Sequence, residues 1–318
     1  MREPESNMGD TPQKAGRTVP ALVVHQWLPE WDEVKWNADL KQARPDRTHF
    51  YLFSLPARLL KRLSGIQRRS VKSETARSAD IGIQRYHDQD RSDEIREFVT
   101  FGYPWSDLPE KRRHSGEFAD LRKPGWLPTA IVVNIPRAGV TRQSLTLAKK
   151  DAIVIKDNPD ESGAVFELPE GSSQNEWKPG GLHPIEVIDG QHRLWAFERA
   201  GTDDIELPVV AFNDLDISWQ AYLFWTINIK PKKINASLAF DLYPLLRSEE
   251  WLDKFSGHPV YRETRSQELV EALWSHPDSP WHRRINMLGE SAQQSGDPRP
   301  MVSQSAWVRG LMSTYVKS

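Results

Sequence analysis

VIDGQHRLWAF, residues 187–197, sets four polar side chains and one glycine between an apolar strand and an apolar helix. Upstream, HPIEVID reads as a strand ending at Ile188. Downstream, the apolar spacing predicts a helix over 191–200 that Gly201 stops, followed by a strand, ELPVVAF, over 206–212. The result is a β-turn-α-β unit whose polar cluster lies where a strand's C-terminal end meets a helix N-terminus. The first amides of a helix lack intrahelical partners and carry the positive end of its dipole, which suits them to phosphate. Gly190 lets a ligand approach the backbone. Arg193 offers a planar fork for phosphate oxygens, His192 a donor that is neutral or charged, and Asp189 an acceptor for a metal, a ribose hydroxyl or an attacking water. The same residues also read as a plain tight turn, since Asp-Gly is common punctuation, with Gln191 and His192 satisfying backbone groups and Arg193 salt-bridged nearby.

Composition limits what such a hinge can serve. With 42 basic and 44 acidic residues in 318, the net charge is −2, so no whole-chain field draws it to nucleic acid or an anionic membrane. Attraction to DNA must come from local patches. There is no cysteine, which removes disulfides, thiol nucleophiles and cysteine zinc sites together and fits a reducing cytoplasm. No stretch approaches the roughly 18 apolar residues of a membrane span, and the N-terminus lacks an apolar leader core. The nine histidines show no HExxH and no zinc-like pairing. Neither GxxxxGK[ST], GxGxxG nor GxSxG occurs. A nucleotide, if bound, therefore uses neither a P-loop nor a Rossmann fingerprint. The 13 tryptophans follow no fixed period and read as core or interface anchors.

Outward from the hinge, the pattern predicts a disordered leader over 1–20, an α/β domain over 21–213 and a helical C-terminal region over 214–318. In the domain, 21–37 reads as an accessory strand and turn. HFYLFSLP at 49–56 is an aromatic strand leading into a short helix faced by Leu59, Leu60 and Leu63. A helix over about 92–101 has Ser92 as its N-cap, and LPTAIVVNIP at 127–136 reads as a buried strand. DAIVIKDN and AVFELPEG read as a hairpin within 151–168. A helix over 216–228 reads as core through Ile217, Tyr222, Leu223 and Trp225. Beyond it, Asn228, Lys232 and Lys233 are candidate phosphate or DNA contacts or plain solvated surface. SQELVEALWSH and SQSAWVRGLMSTYV read as further helices.

A basic run follows the strand at 49–56: Arg58, Lys61, Arg62, Arg68, Arg69, Lys72 and Arg77, offset by Glu74 alone. It reads either as a contact for duplex backbone or as a solvated loop. It lacks the interleaved aromatics that stack on single-stranded bases.

IDGQHRLWAF, with LPVVAF and INIKPKKINASLAFDL after it, resembles the DGQHR-domain family, whose fold is of the ParB/sulfiredoxin type: a mixed α+β sheet with helices. GIQRYHDQDRSDEI resembles the family's upstream Gln-Arg segment, and the resemblance spans about residues 46–250. Within the family, the chain is similar to DndB-type proteins of DNA phosphorothioation and DpdB-type proteins of 7-deazaguanine DNA modification. The resemblance implies that Asp189, Gly190, Gln191, His192 and Arg193 form a nucleotide-phosphate site, with Asp189, His192 and Arg193 catalytic and Gln84 and Arg85 as a second wall. It implies a nucleoside triphosphate, ATP first, with Mg²⁺ at Asp189. As partners it implies DNA, a DNA-modifying enzyme of the same gene cluster and a second copy of the chain. Two functions follow as expectations. The first is a nucleotide-hydrolysing accessory protein of a DNA-modification system. The second is a DNA-binding regulator of a phosphorothioation gene cluster, in which the turn is structural or senses a ligand. No helix-turn-helix with a base-reading helix is legible for the second.

Overall fold

The computed structural model describes residues 17–37, 43–65, 88–103, 105–115, 122–158, 162–197, 205–228, 237, 259–287 and 302–316. Gln84, Arg85, Arg68, Arg69, Lys72, Lys232 and Lys233 lie outside these residues, as does the helix read after Lys233. The chain is a mixed α+β protein that divides into two compact units. The first comprises residues 1–100 and 125–230, the second 101–124 and 231–318.

Alternation of side chains builds the first unit. In β1 (Thr18–His25) Val19 and Ala21 are buried, and in β2 (His49–Pro56) Tyr51, Phe53 and Leu55 are buried. Pro56 ends β2 and opens α1 (Ala57–Leu63), whose Leu59, Leu60 and Leu63 face the core as their spacing predicts. The brief β3 (Ser64–Gly65) follows, and then α2 (Gln89–Phe101). Ser92 does not cap α2. Asp88 does so, accepting from the Arg91 amide at 3.2 Å, while Ser92 is buried inside the first turn. In the second unit comes α3 (Glu110–His114), and the first resumes with β4 (Ile131–Ile135). The two-residue ribbon β5 (Thr141–Arg142) and β6 (Leu145–Thr146) precedes the predicted hairpin, β7 (Val154–Asp157) and β8 (Gly163–Glu167). Last are β9 (Ile185–Asp189), α4 (Gln191–Trp195), β10 (Glu206–Asn213) and α5 (Ile217–Asn228).

Eight of these strands form one mixed sheet in the order β3-β9-β4-β10-β2-β1-β8-β7. β1 is therefore no accessory strand: it pairs antiparallel with β2 on one side and β8 on the other. β4 is inserted between β9 and β10, antiparallel to the first and parallel to the second. This buries Ile131, Val133 and Ile135 completely. Phe166 of β8 is fully buried against Tyr51 and Phe53, with ring centroids at 5.1 and 4.9 Å.

The second unit has its own core. There α6 (Pro259–Ser275), β11 (Ile285–Asn286), β12 (Val302–Ser303) and α7 (Gln304–Thr314) bury Val270, Ile285, Val308 and Leu311 together. Ser303 caps α7 by accepting from the Ala306 amide. No helix among the described residues is long and apolar enough to cross a membrane.

Phe166→Ala removes a ring from the centre of the first unit and is expected to cost about 3–5 kcal/mol. Urea unfolding monitored by tryptophan fluorescence measures that loss.

Candidate functional site

The polar turn owes its shape to a slip in the sheet. β4 and β9 pair Asn134 with Glu186 and Val133 with Val187, but Val132 with Asp189, so β9 carries Ile188 as an extra residue. Such bulges re-aim side chains at the ends of strands. Gly190 follows with φ +93°, and a Cβ there would stand 2.8 Å from Ile131 Cδ1 and 3.0 Å from Arg193 Nη2. Both the backbone and the space over it demand glycine. What fills that space is the Arg193 guanidinium, folded back over the turn.

Arg193 is held from three sides. Its Nη2 donates to Asp189 Oδ2 at 2.7 Å, and its Nη1 donates to the Thr129 and Ala130 carbonyls at 2.8 and 3.0 Å. Asp189 and Arg193 side chains are only 17% and 19% exposed, so the pair is well shielded from solvent. The other Asp189 oxygen accepts from Asn228 Nδ2 at 3.1 Å. Asn228 is the last residue of α5, and its amide also bonds the Phe224 carbonyl. Thus Asp189, Arg193 and Asn228, from β9, α4 and α5, converge on one turn. Gln191 instead points inward: it is buried, and its Nε2 lies 3.4 Å from His192 Nε2. The His192 carbonyl accepts from Ser92 Oγ at 3.2 Å, which joins α2 to the turn.

The helix after the turn differs from expectation. α4 spans five residues, Gln191–Trp195, and residues 198–204 lie outside those described. One turn sums few peptide dipoles, so attraction for an anion rests here on side chains more than on a helix terminus. Of the five N–H donors of Arg193, three are used within the turn. The Nε–H takes no part in those three bonds and is left to face a phosphate or carboxylate oxygen.

Beneath the turn is a group that the sequence reading missed. Glu186, three residues before Asp189, is buried, and its Oε2 accepts from Asn134 Nδ2 of β4 and Gln220 Nε2 of α5, each at 2.8 Å. Its Oε1 faces Arg142 Nε at 3.2 Å. Asn134 Oδ1 in turn accepts from the Leu215 amide at 2.9 Å, and Gln220 also donates to the Leu215 carbonyl. This network fixes α5, and with it Asn228, against β9. An acid inside the otherwise apolar IEVI was the available signal.

Of the basic run, only Arg58, Lys61 and Arg62 are described, all on α1. Arg62 donates to the Ser172 carbonyl at 2.9 Å and to Asn175 Oδ1 at 2.8 Å, and burial lowers its pKa. Lys61 lies over the Trp195 ring at 5.5 Å. These two cations are spent on internal contacts that join α1 to the segment before β9 and to α4. Nor is α5 a core helix on every face predicted for it, because Tyr222 and Trp225 are exposed and only Gln220 is buried.

The chain is similar to the crystal structure of the C-terminally truncated chromosome-partitioning protein ParB from Caulobacter crescentus complexed with CTP-γ-S, at 12% identity and a TM-score of 0.33, over 83% of this chain and 93% of that one. No family model matches the chain. No curated protein matches it either.

Gly190→Ala is expected to cost about 1–3 kcal/mol through its positive φ and to displace the Arg193 side chain, read as a lower urea midpoint. A second expectation concerns His183, two residues ahead of β9, whose burial lowers its pKa. The unfolded chain then takes up the proton first, so stability is lost as pH falls below the ordinary histidine range, about pH 6.5. Urea midpoints at about pH 7.5 and 5.5 should differ less in His183→Gln than in the parent chain.

Proposed function

We propose that the turn at Asp189–Arg193 binds the phosphates of a nucleoside triphosphate, and that the chain hydrolyses it as an accessory protein of a DNA-modification system of the 7-deazaguanine or phosphorothioation type. The observation that carries the reading is the convergence of Asp189, Arg193 and Asn228 at the end of β9, with the Arg193 Nε–H outside the turn's own bonds. A guanidinium held by backbone carbonyls is already oriented before a ligand arrives, which is the condition for electrostatic stabilisation of a transferring phosphoryl group. The DGQHR resemblance supplies the nucleotide and the DNA-modification setting, with ATP as the first candidate.

Magnesium fits this reading in one way. Among the described residues no three His, Cys, Asp or Glu side chains group to hold a metal ion. The ion would therefore arrive on the nucleotide, with Asp189 as its protein carboxylate. It would neutralise charge on the phosphates. The Arg193 guanidinium would face the phosphate oxygens. His192 is the candidate proton carrier beside them, and Asn228 holds Asp189 in register. In this reading Lys232, Lys233, Gln84 and Arg85 complete the nucleotide site, and Arg58, Arg68, Arg69 and Lys72 face duplex backbone. A partner enzyme that alters the DNA uses the hydrolysis as its gate.

The test is phosphate release from ATP, CTP and GTP with Mg²⁺, with and without duplex DNA. Arg193→Ala and Asp189→Ala are each expected to lower turnover by about 10²–10³-fold. Unchanged turnover in Arg193→Ala overturns the reading, as does the absence of both binding and hydrolysis of every nucleotide.

A further inference from the structure

The first unit has a second concavity that the turn does not use. A cavity of about 190 Å³ lies between the segment after β1 and the first half of α5. Phe50 of β2, Phe212 of β10, Trp219 and Tyr222 of α5, and Trp27 and Trp31 line it. Phe50 and Phe212 stand 5.4 Å apart, Trp27 and Trp31 meet edge to face at 5.2 Å, and Trp219 and Tyr222 do so at 5.6 Å. Two of the indoles are fixed through their N–H groups: Trp219 donates to the Ala43 carbonyl at 2.8 Å and Trp27 to Asp32 at 3.1 Å. They therefore offer a ligand ring surface rather than donors.

Polar groups stand among these rings. Gln26, Thr48 and His49 also line the cavity. The Tyr51 hydroxyl gives its proton to Asp157 Oδ1 at 2.8 Å, so His49 Nε2, 3.0 Å from the same oxygen, is the donor in that contact. His49 Nδ1 is left as an acceptor, and burial lowers the pKa of the ring, which keeps it neutral near pH 7. Two ion pairs hold the approach: Arg44, paired with Asp32 at 2.7 Å, lies over Trp27 at 5.0 Å, and Arg47 lines the cavity while paired with Asp157. The α5 lining residue nearest to Asn228, the contact of Asp189, is Leu223, five residues or about 7.5 Å of helix before it, and no residue of the turn lines the cavity. The cavity and the turn are separate sites.

We propose that this cavity binds one planar heteroaromatic ring of nucleobase size. An apolar cavity of roughly 150 Å³ accepts a benzene ring, so the space here admits a somewhat larger ring system. Aromatic walls take such a ring by stacking, as proteins that hold unpaired bases do. Heteroatoms on the ring edge can meet His49 Nδ1 and the Gln26 and Thr48 side chains, contacts that a hydrocarbon cannot make. Arg44 and Arg47 are each paired with a carboxylate, so the charge at the mouth is balanced and the ring surfaces select the ligand.

Quenching of tryptophan fluorescence tests the proposal on the whole chain. The probes are adenosine, guanosine and cytidine, a short single-stranded oligonucleotide, and indole. Saturable quenching by a nucleoside or the oligonucleotide is expected. Trp31→Ala and Tyr222→Ala, at positions 41% and 55% exposed and so compatible with an intact fold, should weaken it at least about tenfold. Binding of nucleosides and oligonucleotide alike identifies a free base as the ligand, and binding of the oligonucleotide alone identifies a base presented by a strand. Arg193→Ala should leave nucleoside binding unchanged, which separates this site from the phosphate turn. The proposal is overturned if no nucleoside or oligonucleotide saturates the signal, if both variants bind as the parent does, or if indole binds as tightly as every nucleoside.

Discussion

The carboxylate of Glu186 is the point on which the site's geometry turns. A buried charge is tolerated only where hydrogen bonds and an opposite charge surround it. Here the partners come from separate elements: Asn134 from β4, Gln220 from α5 and Arg142 from β5. Satisfying one carboxylate therefore fixes the spacing of strand, neighbouring strand and helix at once. Asp189 and Asn228 inherit their meeting from that spacing, because each lies further along an element the network already holds.

Arg193 shows why a conspicuous motif has two readings at once. Its contacts with Asp189 and two carbonyls are those of a structural clamp on a tight turn. The same contacts orient the rest of the guanidinium, and orientation is what a binding group needs before its ligand arrives. Gly190 serves both purposes, since no other residue leaves room for the folded arginine. A clamp and a binding fork are two uses of one geometry.

Much of the fold was legible because its signals are local. HFYLFSLP became β2 with the predicted bounds, and the hairpin, the 206–213 strand and the helix ending at Asn228 fell where periodicity put them. The role of β1 was not legible, because one strand's pattern says nothing about how many neighbours it has. Ser92 misled for a physical reason: a serine near a helix start can cap the helix or bond another segment, and here His192 supplied the acceptor. Of the turn, residue types suggested a polar cluster, but the inward Gln191 and the Glu186 network depend on partners distant in sequence. Tyr222 and Trp225 matched a core pattern, yet both are exposed, because periodicity does not say which face a neighbouring element covers.

The insertion of β4 between β9 and β10 also has a consequence in time. β9 and β10 follow one another in the chain but do not pair. Leu207 meets Leu55, Ala21 meets Ala164 and Ser64 meets Ile185, and only the β7–β8 hairpin closes over a short loop. Each long closure must be made before its contacts reward it, so the sheet assembles slowly, and its apolar strands wait longest for the segments that reach them last. During biosynthesis β2 emerges long before β10 exists to cover it, leaving Phe53 and Leu55 dependent on early partners such as β1 and α1 until β10 has been made.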